Sequence, residues 1–130
     1  MNSACPKVDL TMKKIEEHIK EAKNMTKVII DPGICGMIAT VTAHSEDGDE
    51  VTITIESPCK GVSGIIDALG DTFDPYELCF AKPGTGPLYD FACDNFPAHG
   101  GCPVIAGIVK CVEAECGLAL KKNASITFVE

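Results

Sequence analysis

The chain has no tryptophan and no arginine, and its aromatic content is five phenylalanines and two tyrosines. All eleven cations are therefore lysines, set against nineteen acidic residues for a net charge of −8. Without guanidinium forks to grip phosphate in pairs, and with a net field that repels it, the chain is not expected to bind nucleic acid. No apolar run approaches the roughly 20 residues that a membrane-spanning helix requires, so no membrane association is expected. The opening stretch "MNSACPKVDLTMKK" lacks the apolar core of a secretory signal, from which a cytoplasmic location is expected. No internal repeat, Walker loop or dinucleotide fingerprint is present.

Cysteine, by contrast, is abundant: Cys5, Cys35, Cys59, Cys79, Cys93, Cys102, Cys111 and Cys116. In an oxidising compartment an even count suggests a disulfide framework. In a reducing one it points to metal, sulfur chemistry or plain burial. At 130 residues the chain fits one domain. Over 9–24, Met12, Ile15, Ile19 and Ala22 recur at helical spacing among Lys and Glu, predicting an amphipathic first helix ahead of a cysteine-bearing core over 27–130. "KVIID" reads as a short buried strand ending at the turn "DPG". Met37, Ala39, Val41 and Ala43 alternate with Thr40, Thr42 and His44. After the turn "EDGD", Val51, Ile53 and Ile55 alternate with Thr52, Thr54 and Glu56. Period-two patterns joined by a turn predict an antiparallel hairpin with one apolar and one wet face.

"GVSGIIDAL" predicts a short helix packed through Val62, Ile65, Ile66 and Leu69, and a further short helix is expected over 88–93. Pro103 takes the favoured first position of a helix that runs to Leu120 with Ile105, Ile108, Val112 and Ala119 on one stripe. "SITFV" is expected to close the chain as a strand. The sum is an α+β fold, a two-layer sandwich of a small antiparallel sheet covered by helices.

On that map three cysteines fall at element junctions. Cys35 lies in "DPGICG", which feeds the hairpin; Cys59 lies in "SPCKG", between hairpin and helix; Cys102 lies in "HGGCP", before the long helix. Hairpin geometry returns the second strand to the start of the first, so Cys35 and Cys59 should be close. Cys59 and Cys102 should each sit at a helix N-terminus, where dipole and free N–H groups favour thiolate, with Lys60 adding a cation. His99 can supply an imidazole beside Cys102. Three thiolates and one imidazole suit zinc or an iron–sulfur cluster.

The segments "GICG", "SPCKG" and "HGGCP", in that order, resemble the U-type iron–sulfur cluster scaffold proteins. That resemblance implies Cys35, Cys59 and Cys102 as cluster or zinc ligands, and a cysteine desulfurase and client apoproteins as partners. Where the scaffold family has an Asp two residues after its first cysteine, this chain has Met37, and two glycines separate His99 from Cys102. A shorter stretch, "CPVIAGIVK" followed by "SITFV", looks like the TusA-type sulfur carriers, with Ile105 where those have a second proline. That likeness implies a persulfide on Cys102 alone.

The blander alternatives are specific too. Cys111 and Cys116, five apart on the long helix among apolar neighbours, read as packing residues. Cys79 and Cys93 are alternatives to His99 as a fourth ligand. His44 ends a wet strand face and reads as solvated; His18 lies off the apolar stripe of its helix, with no partner evident in the sequence. The acidic "EDGDE" reads as a solvated turn, since it lacks the further oxygen ligands of a calcium loop. A cysteine–histidine hydrolase pair, Cys102 with His99 or His44, has no accompanying signature. The Thr-rich hairpin face leaves room for a third reading: a non-enzymatic interaction protein whose cysteines are buried and structural.

Overall fold

The computed structural model describes residues 25–97 and 99–130. The helix expected over 9–24, with Cys5 and His18, lies outside the described residues.

The sheet is a meander of four antiparallel strands in chain order: β1 (Met25–Ile30), β2 (Ala39–His44), β3 (Val51–Glu56) and β4 (Thr72–Phe73). The alternation in the sequence decides which way each strand faces. Thr26, Val28 and Ile30 pair with Ala43, Val41 and Ala39, and Val41 and Ala43 pair in turn with Ile55 and Ile53. All of these point toward the helices. The other face carries Met25, His44 and Thr52 in one row, Lys27, Thr42 and Thr54 in the next, and Ile29, Thr40 and Glu56 in the third. The expected hairpin is therefore present, joined on one side by the strand read from "KVIID". That strand is an edge, and Ile29 on its outer face is 69% exposed.

Among the described residues four helices accompany the sheet: α1 (Lys60–Leu69), α2 (Pro75–Cys79), α3 (Pro87–Asn95) and α4 (Val104–Glu115). Helix α4 lies across β1 and β2, α1 lies against β3, α2 packs on α4, and α3 packs on α1 and α2. Val62 and Ile65 of α1, with Val104, Ile105, Ile108 and Val112 of α4, close the core over Val41, Val51 and Ile53. Each such side chain, fully withdrawn from water, contributes about 1.5–3 kcal/mol. The helical stripes thus have the expected members near their centres, while Leu69 and Ala119 at their ends are exposed.

Several boundaries differ from the sequence reading. Helix α4 stops at Glu115 because Gly117 takes a positive φ of 74° and diverts the chain. Pro103 is the N-cap, with φ −88° and ψ 3°, and not the first helical residue. "SITFV" forms no strand, for no neighbouring strand pairs with it among the described residues. Helix α2 was not anticipated, although its cap is conventional: the Asp74 carboxylate accepts from the Tyr76 N–H at 2.9 Å, ahead of Pro75.

Candidate functional site

The strand register fixes where the three junction cysteines go. Ile30 pairs with Ala39 and Thr40 with Glu56, so the loop over 31–38 and the "SPC" segment leave the sheet at one end. Helix α4 runs back along β1. Its Gly107 packs against Ile30 so closely that a Cβ there would overlap the isoleucine, while its last residue, Glu115, bonds Thr26 at the far end. The residues before α4 therefore project past the Ile30 end, on the same side as the other two loops. Phe96 strengthens the junction by seating on Gly61 in the first turn of α1.

Within that end each cysteine is held differently. Cys35 sits in a turn closed by a bond from Gly36 N–H to Gly33 C=O at 2.9 Å. Gly33 and Gly36 have φ of 98° and 69°, values that glycine adopts without a Cβ penalty, and the Asp31 carboxylate accepts the Gly33 N–H at 3.0 Å. This leaves the Cys35 thiol exposed. Cys59 is the N-cap of α1: its carbonyl accepts the first helical bond, from Ser63 N–H at 2.8 Å, and its own N–H donates to the Ser57 hydroxyl at 3.1 Å. Cys102 precedes the Pro103 N-cap, and its N–H donates to His99 C=O at 3.3 Å. Cys59 and Cys102 are both half-buried against the core, and neither α1 nor α4 has a side-chain cap on its first N–H groups.

Among the described residues no three His, Cys, Asp or Glu side chains stand in the arrangement of a metal site. Cys35, Cys59, Cys102 and His99 thus share one end of the sandwich without forming a closed ligand shell. His99 is exposed, its ring alongside Gly101.

The remaining cysteines separate clearly. Cys111 is fully buried, and its Sγ donates to Thr26 C=O at 3.2 Å. Burial pushes its thiol up to about 11. Burial, with the nearby Glu113 and Cys116, pushes Cys79 up to about 12, and burial also raises Cys116. A thiol held protonated is a poor nucleophile and a poor metal ligand, so Cys111 and Cys116 fit their reading as packing residues. The same argument sets Cys79 apart from the candidate fourth ligands. Cys93 is exposed on α3.

At the opposite end the sheet face turned away from these helices holds, among the described residues, two adjoining depressions. One, of about 220 Å³, is lined by His44, Ser45, Glu46, Asp47, Glu50 and Thr52, and the other, of about 350 Å³, by Met25, Thr42, His44, Thr52 and Thr54. His44 is half-buried and lines both, so it is not simply a solvated residue. The "EDGDE" turn is closed internally: Asp47 accepts from Asp49 and Glu50 N–H groups, bonds that lower its carboxyl pKa. The depressions are a strand length, roughly 17–20 Å, from the cysteine end and hold no thiol.

The model of a family of unknown function, DUF6951, matches residues 26–128. No curated protein and no solved structure matches the chain. No helix among the described residues is long and apolar enough to cross a membrane.

Proposed function

We propose that this chain, which belongs to the DUF6951 family, is a metal- or iron–sulfur-cluster-binding protein of sulfur and iron metabolism that works through Cys35, Cys59 and Cys102. One observation carries the reading: the register and the direction of α4 bring the loops bearing these three thiols to one end of the sandwich. Burial raises the thiols of Cys79, Cys111 and Cys116, which leaves the three loop thiols and the exposed Cys93 on α3 as the other sulfur ligands among the described residues. His99, at the start of the turn that ends in Cys102, is the fourth ligand of the proposal. Among the described residues the three loops form no closed shell, so the proposal requires that loading draw them together.

The test is elemental and sulfide analysis of full-length protein purified without oxygen or chelator. Iron with acid-labile sulfide, or zinc, near one site per chain is the expected result, lost in Cys35→Ser, Cys59→Ser and Cys102→Ser alike. Eight freely titratable thiols and no metal under those conditions would refute the proposal.

A second reading, a sulfur carrier using Cys102 alone, draws on the uncapped N–H groups at the start of α4, which would stabilise a persulfide anion. Incubation with a cysteine desulfurase and cysteine separates the two. An added sulfur mass that disappears only in Cys102→Ser favours the carrier; dependence on all three thiols favours the scaffold.

A further inference from the structure

Past Glu115 the backbone makes its last bonds within the body, from Leu118 and Ala119 N–H to the Glu113 carbonyl, and then departs. Every residue over 119–130 is exposed, including four large apolar ones: Leu120 at 92%, Ile126 at 87%, Phe128 at 96% and Val129 at 88%. The segment has strand chemistry, with β-branched and aromatic residues and the period-two pairing of Ile126 with Phe128. The family match extends to residue 128, so this segment belongs to the shared domain.

The same molecule presents a complement. β1 is the outer strand of the sheet, and among the described residues nothing pairs with its outer edge. At that edge Val28 and Ile30 face the helix layer yet are only half-buried, so the core is incomplete there. The direct path from the end of α4, beside Thr26, along the chain's own β1 runs parallel to that strand. A copy related by a two-fold axis can offer β1 antiparallel, the stronger pairing.

We infer that the segment over 120–130 of one copy adds as a strand to the β1 edge of a second copy, in a reciprocal two-fold exchange. Ile126 and Phe128 then extend the helix-covered layer beside Val28 and Ile30, and Thr127 and Val129 continue the outer face past Lys27 and Ile29. The occupant of the edge is a second copy of this chain.

Sedimentation velocity of the reduced full-length chain over a dilution series tests this, alongside a chain truncated after Ala119 and the double variant Ile126→Asp/Phe128→Asp. The wild type is expected to be a dimer that dissociates on dilution and the truncated chain a monomer. The double variant should dimerise at least about tenfold more weakly, since it strips both buried apolar contacts. All the described elements precede residue 119, so both variants should keep the far-UV circular dichroism of those elements. Hydrogen exchange supplies the local readout: the β1 amides that point away from β2 are protected in the dimer and exposed in the truncated chain, while those bonded to β2 are protected in both. A monomeric wild type, as when the segment folds onto its own chain, overturns the inference. So does a dimer that persists unchanged in both variants, or protection of the outward β1 amides that survives truncation.

Discussion

Thr26 donates its hydroxyl to the carboxylate of Glu115 at 2.8 Å, although the two stand 89 positions apart in the sequence. The other carboxylate oxygen accepts the Ser45 N–H at 2.9 Å. Glu115 is the last residue of α4, where the helix dipole disfavours negative charge, so these bonds hold an acid where local preference would not put one. The return is directional. The clamp fixes the C-terminal end of α4 to the Met25 end of the sheet, which fixes its opposite end, and Cys102 with it, beside the loops bearing Cys35 and Cys59.

Removing that clamp should be expensive. Thr26→Val keeps the shape and deletes the donor to a charged acceptor, a bond worth about 1.5–3 kcal/mol. Glu115→Ala should cost at least as much, because it also leaves the Ser45 N–H without its acceptor. Urea unfolding midpoints compared at constant m-value measure both. A change of a few tenths in either would mean that the clamp is incidental to the fold.

Gly107 serves as the second fixed point. A Cβ there would meet Ile30 at overlapping distance, from an atom of a β-branched side chain on a strand that cannot easily retreat. Gly107→Ala should destabilise by about 1–3 kcal/mol through overpacking, despite alanine's better helix propensity. Combined with Ile30→Ala, most of that loss should return, and a double-mutant cycle would read the coupling. Additive costs would mean that the two residues do not meet.

The sequence disclosed what depends on local period. Ala39, Val41 and Ala43 against Val51, Ile53 and Ile55 gave the hairpin, and Ile105, Ile108 and Val112 gave the buried face of α4. The placement of Cys35 and Cys59 at one end followed from hairpin closure alone. Relationships across the chain were silent: no periodicity announces that Glu115 will meet Thr26, or that Gly107 will admit Ile30. The extent of α4 was misjudged because Ala119 continues the apolar stripe in sequence while Gly117 breaks it in space. "SITFV" carries a strand's composition, but composition does not supply a neighbour within the chain. The depressions beside His44 went unseen because their lining gathers both hairpin strands and the turn between them.

Stability should fall on the alkaline side in reduced, metal-free protein. Cys111 is raised from 9.0 to about 11 and Cys79 from 9.0 to about 12, in both cases chiefly by burial. Above the unfolded thiol pKa the unfolded chain loses these protons while the folded one retains them. The folded state then binds more protons, and stability declines as pH rises from about 9 toward 12. Lysine and tyrosine also titrate there, so the decisive measurement is a difference. The thermal midpoint of Cys111→Ala should decline less steeply than that of the wild type between pH 9 and pH 11, the window of the Cys111 shift. Parallel declines would sink the assignment.

The reactivity of the thiols separates the cysteine end from the core. At pH 7 a thiol with a pKa of about 11 is ionised only to about one part in ten thousand, and Cys111 is fully buried as well. Cys102, ahead of α4, and Cys59, the N-cap of α1, are only half-buried and so within reach of the reagent. A short iodoacetamide pulse on reduced, metal-free protein, read by peptide mapping, should therefore label Cys35, Cys59 and Cys102 at least about a hundredfold faster than Cys111. Cys93, exposed on α3, is the internal control. Added Zn²⁺ should protect Cys35, Cys59 and Cys102 together and leave Cys93 labelled, because coordination occupies the sulfur lone pair that attacks the reagent. Protection of Cys102 alone would break the shared site. If Cys102 is as slow as Cys111 and zinc alters nothing, its sulfur is packing, and neither the cluster-binding nor the sulfur-carrier reading survives.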